Sequence, residues 1–178
     1  MEPTAVLYEG TPGDRLLTDG LTVVGAEAAD VVPEALRLVG EGWARLELCG
    51  GLPVDVAAEV RAALAGDDRP DPVRLGLNRY GFESLELIAD FKAAFGRGEV
   101  RPQVFLVPAR DGVERVEHPD ATIIPVGSLW ETEGLAVDLA GAGVGMIELY
   151  GGLGTDHAAA VWRGSGGRIP VGFVGYDD

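Results

Sequence analysis

The sequence predicts an α/β protein made by tandem duplication of a ββαβαβ-type unit with mainly parallel strands. Three observations carry that prediction. First, Leu46-Glu47-Leu48-Cys49-Gly50-Gly51-Leu52 returns as Ile147-Glu148-Leu149-Tyr150-Gly151-Gly152-Leu153, and nine of the sixteen positions from Leu46 to Arg61 are identical 101 residues later. Second, each copy contains short apolar, β-branched runs without polar alternation, the pattern of strands buried on both faces. Third, amphipathic stretches separate those runs, so parallel strands joined by right-handed helical crossovers follow. A fixed-offset repeat has to be settled before any other fold assignment.

The elements follow in order. Ala5–Tyr8 and Val104–Val107 open the two copies, and Leu21–Gly25 and Thr122–Gly127 are the second strands. Helices are predicted over Asp30–Glu41 and Trp130–Ala142. In the first, Val32, Ala35, Leu36 and Val39 fall at helical spacing; Gly40 and Gly42, like Gly141 and Gly143, end the two helices. The third strand carries the ELCGG or ELYGG motif. Second helices run over Pro53–Leu64, with Pro53 in the first turn, and over Thr155–Trp162, with Thr155 as cap. Val73–Asn78 and Ile169–Tyr176 are the fourth strands, and Pro72-Val73 matches Pro170-Val171. Ser84–Phe95 is read as a joining helix with Leu85, Ile88, Phe91 and Phe95 on one face. The connections Gly10–Gly20 and Ala109–Asp120 stay open; Asp111-Gly112 suits a hairpin turn into Val113–Glu117.

The expected organisation is therefore residues 1–81 as the first unit, 82–100 as joining helix and linker, and 101–178 as the second unit. Two half-units packed about a pseudo-twofold axis are favoured. A single barrel-like eight-stranded sheet is the alternative; the chain is shorter than the ~200 residues at the low end for an eight-fold βα barrel.

Composition narrows the function. A net charge of −15 argues against nucleic acid or anionic lipid as partner, because both are bound mainly through basic residues. No apolar run approaches the ~20 residues of a membrane span, and Met1-Glu2-Pro3-Thr4 does not read as a signal peptide. A cytoplasmic protein is expected, and Arg at thirteen of fourteen basic positions suits a GC-rich bacterial source. Cys49 is the sole cysteine and His118 and His157 the only histidines, so neither a disulfide nor a zinc-type ligand spacing is present. No cofactor and no metal are expected. A small-molecule ligand and a homo-oligomer are left open as partners.

Glu47-Leu48-Cys49-Gly50-Gly51, with Glu148, Gly151, Gly152, Gly154 and the tripeptide Pro170-Val171-Gly172 of the second copy, resembles an uncharacterised family of small bacterial α/β proteins. These carry a strand–ELCGG–helix motif followed by a Pro-Val-Gly strand, usually as a single unit; here it is present as a tandem duplication. The resemblance implies no reaction. The chain departs from the pattern at Tyr150, which replaces the motif's cysteine, and at Arg74, which follows Pro72-Val73 where glycine is expected. An essential thiol in both halves is disfavoured accordingly.

Glu47 and Glu148 are the most informative positions, since a carboxylate inside an apolar strand is costly unless hydrogen-bonded or paired. Such a group serves either as a general acid or base or as a brace that locks the glycine turn. Gly50-Gly51 and Gly151-Gly152 sit where a strand turns into a helix. They suit an anion cradle at a helix N-terminus, or, more commonly, a turn that needs glycine geometry. Cys49 reads as a small buried hydrophobe more than a nucleophile, and Asp156 as a partner of its own helix dipole. The candidate catalytic set is Glu47, Glu148, His157 and Tyr150. The candidate ligand-binding set is Cys49, Gly50, Gly51, Gly151, Gly152, Gly154 and Asp156. Gly141-Ala142-Gly143-Val144-Gly145 precedes a strand and is not a dinucleotide motif. Trp43, Trp130 and Trp162 are expected to pack at helix ends, and Lys92 to snorkel at the joining helix's edge.

Two functions follow. The first is a non-catalytic small-molecule-binding or assembly module built as a fused homodimer. The alternative is a small-molecule lyase, isomerase or hydrolase with glutamate acid–base groups at the carboxyl ends of the strands.

Overall fold

The computed structural model describes residues 2–65 and 72–176; the expected outer bounds at 1 and 178, and positions 66–71 of the first repeat, lie outside the described residues. The protein is α/β, with nine strands and five α-helices among the described residues. By compactness it divides into two units, Met1–Asn78 with Val174–Asp178 and Arg79–Phe173.

In the first unit, β1 (Thr4–Glu9), β2 (Gly13–Thr18), β3 (Leu21–Ala26), β4 (Arg45–Leu48) and β5 (Arg74–Tyr80, whose last two residues belong to the second unit) lie in the order β2-β3-β1-β4-β5. β1 pairs parallel with both β3 and β4, and β4 parallel with β5. Residues 4–8 and all of β3 are buried, as unalternating apolar runs require. Each fully buried Val or Leu there is worth about 1.5–3 kcal/mol. α1 (Val31–Gly40) turns Val31, Ala35, Leu38 and Val39 inward and packs on β1 and on α2 (Val54–Ala65). The first connection holds a strand that the sequence left undetermined: β2 runs antiparallel to β3, with a bulge between Asp14 and Leu16.

The second unit contains α3 (Leu85–Gly96), β6 (Gln103–Pro108), β7 (Thr122–Val126), α4 (Leu129–Gly141), β8 (Met146–Leu149), α5 (Thr155–Gly164) and the first half of β9 (Val171–Tyr176), with strand order β9-β8-β6-β7. β6 pairs parallel with β7 and β8, and β8 with β9. The order matches β5-β4-β1-β3 of the first unit. Where the first unit has β2, the second has one antiparallel bridge, Val116 to Ile123, corresponding to Leu16 against Val23. Ile123 N–H bonds outward to Val116. Pro125, two residues on, points its missing N–H the same way, so β7 loses no pairing to β6. The core gathers Val104, Leu106, Ile124, Ile147, Leu149 and Val171 of the sheet with Ala136, Leu139, Ala158 and Val161 of the helices. α4 and α5 approach closely because Gly164 has no side chain: a Cβ there would lie 2.2 Å from the Glu133 carbonyl oxygen.

Several local expectations are corrected. Gly154, and not Thr155, occupies the cap position of α5. Trp130 is 83% exposed and packs no helix end, whereas Trp162 does lie against the core. On α3, Phe91 and Ala94 are buried while Leu85 and Phe95 face outward, so the inward stripe is narrower than the apolar pattern implied.

Candidate functional site

Strand register sets the surroundings of both glutamates. In the first unit Val23, Val6, Glu47 and Gly76 form one row across β3, β1, β4 and β5. In the second unit Ile123, Phe105, Glu148 and Gly172 form the same row. Registered residues of parallel strands share a face, so each carboxylate has an apolar neighbour on one side and a glycine on the other. Both are removed from water: Glu47 is 0% and Glu148 1% exposed. A carboxylate so placed needs hydrogen-bond donors.

Tyrosines supply them. Within the first unit the Tyr176 hydroxyl donates to Glu47 Oε1. Gly76 makes room for that ring, since a Cβ at Gly76 would come within 2.8 Å of the ring and 2.4 Å of Val174 Cγ1. Within the second unit Glu148 Oε1 accepts from Tyr80 at 2.8 Å and Oε2 from Tyr150 at 2.5 Å. Tyr150 is wholly buried, edge-on to Phe105 with centroids 5.3 Å apart. The Tyr150 bond has the length of a charge-assisted O–H···O⁻ bond, the stronger class, and the Tyr80 bond that of an ordinary O–H···O bond.

Tyr80 and Tyr176 are the residues that motif reading missed. Each stands four residues after the glycine of its row, in Gly76-Leu77-Asn78-Arg79-Tyr80 and Gly172-Phe173-Val174-Gly175-Tyr176. Aligning Pro72-Val73 with Pro170-Val171 hid this match. The register equates Gly172 with Gly76, so the apparent replacement of glycine by Arg74 disappears.

Burial holds the Tyr176 phenol well above its ordinary range, and the negative charge of Glu47 and the hydrogen bond to it add to the shift. The guanidinium groups of Arg45 and Arg74 oppose it. They lie 5.4 and 4.6 Å from the ring centroid, where cation–π attraction operates.

The other expected residues separate into groups. Tyr150 joins Glu148 directly. Cys49, in the equivalent place beside Glu47, is a buried cysteine. His157 Nδ1 lies 3.0 Å from Thr132 Oγ1. That hydroxyl donates to the Ser128 carbonyl, so the ring nitrogen is assigned the proton and donates, tying α5 to α4. Asp156 is exposed in the first turn of α5. Gly151 and Gly152 adopt φ of 68° and 87°, a backbone that side chains resist. Gly51 and Gly154 stand without such a constraint: a Cβ on Gly51 would meet only Cys49 Sγ at 3.8 Å, and one on Gly154 nothing within 4 Å. Among the described residues no group of three or more His, Cys, Asp or Glu side chains is arranged to hold a metal ion, and no helix is long and apolar enough to cross a membrane.

Chemically, Tyr80–Glu148–Tyr150 is a chain of three groups that can share protons, and Glu47–Tyr176 is a shorter version. Residues 107–178 match a family described as a family of unknown function (DUF6506). The match spans less than half of the chain and lies within the second repeat. No curated protein and no solved structure matches the chain.

Proposed function

We propose that the chain is a non-catalytic small-molecule-binding or assembly module, a cytoplasmic bacterial protein that arose by fusing two copies of a unit that once paired as a homodimer. One observation supports this above others. Glu47, from the first repeat, takes its phenol from Tyr176 of the second, and Glu148, from the second, takes one from Tyr80 of the first. A single copy would leave its buried glutamate short of that donor. Pairing with another copy would supply it twice over, and fusion makes the supply permanent. On this reading the glutamates brace the fold.

The test is the melting temperature of Glu47→Gln, Glu148→Gln and the double variant at neutral pH. Weakening a charge-assisted bond at a buried site costs about 1.5–3 kcal/mol, and roughly 2–4 °C accompanies each kcal/mol in a chain of this size. Each single change should therefore lower melting by about 3–12 °C. Variants that melt at or above the parent would remove the bracing role.

The Tyr80–Glu148–Tyr150 chain supports a second reading, a small-molecule lyase, isomerase or hydrolase in which Glu148 and Tyr150 exchange protons with substrate. Glu47, Cys49 and His157 would be accessory to it. Turnover of a metabolite by the pure protein, abolished in Glu148→Gln with the fold intact, would establish it over the first.

A further inference from the structure

The start of β4 and β5 carries a feature that neither reading of the glutamates uses. Arg45 and Arg74 are registered partners in adjacent parallel strands, so their side chains leave the same face side by side. Like charges placed this way repel, and in a chain of net charge −15 they are an uncommon pairing of basic groups. Among the described residues, the carboxylate oxygen that reaches both is that of Glu2. Glu2 Oε2 lies 3.2 Å from Arg45 Nη2 and 4.0 Å from Arg74 Nη1. The Arg45 side chain is only 13% exposed, and its Nε is buried with no hydrogen-bond acceptor among the described residues. A buried donor left unmet destabilises the fold that holds it. The Tyr176 ring, fixed by Glu47, lies against both guanidinium groups.

We propose that Arg45 and Arg74, backed by the Tyr176 ring, are the seat of a small-anion site that takes a carboxylate or phosphate group, and that Glu2 fills it in the free chain. The guanidinium fork offers donors to two oxygens at once, whereas Glu2 brings one oxygen to both groups and leaves Arg45 Nε unmet. An anion with two or more oxygens satisfies the seat better and displaces Glu2, which lies on the short arm before β1. The site therefore binds weakly while Glu2 competes and strongly once it is neutral.

The experiment is isothermal titration of inorganic phosphate, and separately of malonate, into the full-length parent, Glu2→Gln, and Glu2→Gln with Arg74→Gln, at low ionic strength. Glu2→Gln should bind at least one of the two about tenfold more tightly than the parent, and Arg74→Gln should reverse that gain. The stronger of the two titrations distinguishes a phosphate from a carboxylate ligand. No saturable binding of either anion to Glu2→Gln, or binding that Arg74→Gln leaves unchanged, overturns the proposal. Should Glu2→Gln melt lower than the parent, the same anions must restore its melting temperature, and failure to do so overturns it equally. The seat shares the Tyr176 ring with the Glu47 brace, but this titration reads anion binding in variants that keep Glu47, Glu148 and all tyrosines, so its failure is distinguishable from failure of either reading of the glutamates.

Discussion

At the scale of single residues, the protein turns on how a carboxylate is kept inside a sheet. Glu47 and Glu148 are tolerated because tyrosine hydroxyls donate to each; glycine stands beside each in the register, and Gly76 admits the Tyr176 ring over Glu47. Tyr176 makes the arrangement measurable. Its phenol is held above the ordinary range mainly by burial and then by the Glu47 charge. A raised folded-state value means that the native protein holds this proton more firmly than the unfolded chain. The contribution is therefore fully present below the unfolded value of about 10 and is lost as pH rises through the folded value. In an ultraviolet titration the parent should show one tyrosine ionising later than the rest, and Tyr176→Phe should remove that late step. The variant's stability should also fall less between about pH 10 and the alkaline unfolding transition than the parent's. A Tyr176→Phe protein whose titration superimposes on the parent apart from one ordinary phenol would contradict the buried pairing. The glutamates were visible in the sequence as charges inside apolar strands. Their tyrosine partners were not, because a Gly-x-x-x-Tyr match has meaning only once strand register places glycine beside glutamate.

At the scale of elements, β1, β3, β6 and β8 were legible because their apolar runs are buried on both faces, and burial there leaves no polar alternation to misread. β2 was not, for the converse reason: of Gly13–Thr18 only Leu16 is buried, so an edge strand of this kind leaves hardly any hydrophobic signal. Its counterpart reduces to the Val116–Ile123 bridge. The start of α4 shows a local rule at work. Ser128 Oγ accepts from the Glu131 amide and Glu131 Oε2 accepts from the Ser128 amide, at 3.2 and 2.8 Å, a reciprocal capping box. That amide holds the Glu131 carboxyl below the usual range, so its stabilisation is present at neutral pH and lost as pH falls through the depressed value. Ser128→Ala removes the hydroxyl acceptor and should cost about 1 kcal/mol in urea unfolding at pH 7, whereas Glu131→Gln removes the charge held by the amide and should cost stability at pH 7 but not in acid. An equal cost at both pH values would show that the carboxylate takes no part. Gly76→Ala is the harsher change. The added methyl meets Val174 and the Tyr176 ring, and overpacking of this kind costs about 1–3 kcal/mol. Placing Gly76→Ala in a Tyr176→Ala background should recover part of that loss, and strict additivity would show that the two residues do not touch.

At the scale of the whole molecule, the repeat in the sequence and the compact units of the structure divide the chain differently. The repeat places everything from residue 101 onward in the second half, whereas Val174–Tyr176 belongs with the first unit and Arg79–Tyr80 with the second. Sequence alone shows the order of matches but not which half each strand end completes, because that depends on contacts between residues far apart in the chain, such as Tyr176 and Glu47. The division has a consequence for stability. Val174 and Tyr176 fill the space over Gly76, and the Tyr176 hydroxyl donates to Glu47, so both act on the first unit although they follow the second in the chain. Truncation after Phe173 should leave Glu47 without its phenol and uncover β5. In hydrogen exchange followed by mass spectrometry, peptides covering β1 and β4 should then exchange at least about tenfold faster than in the parent, the mark of a lowered local opening free energy. Peptides covering β6 and β8 should keep their protection, because Glu148 retains Tyr80 and Tyr150 and the register of β8 with Val171–Phe173 is unchanged. Equal acceleration in both sets would mean that the units open as one cooperative body. No acceleration in β1 and β4 would mean that Tyr176 lies on the first unit without stabilising it.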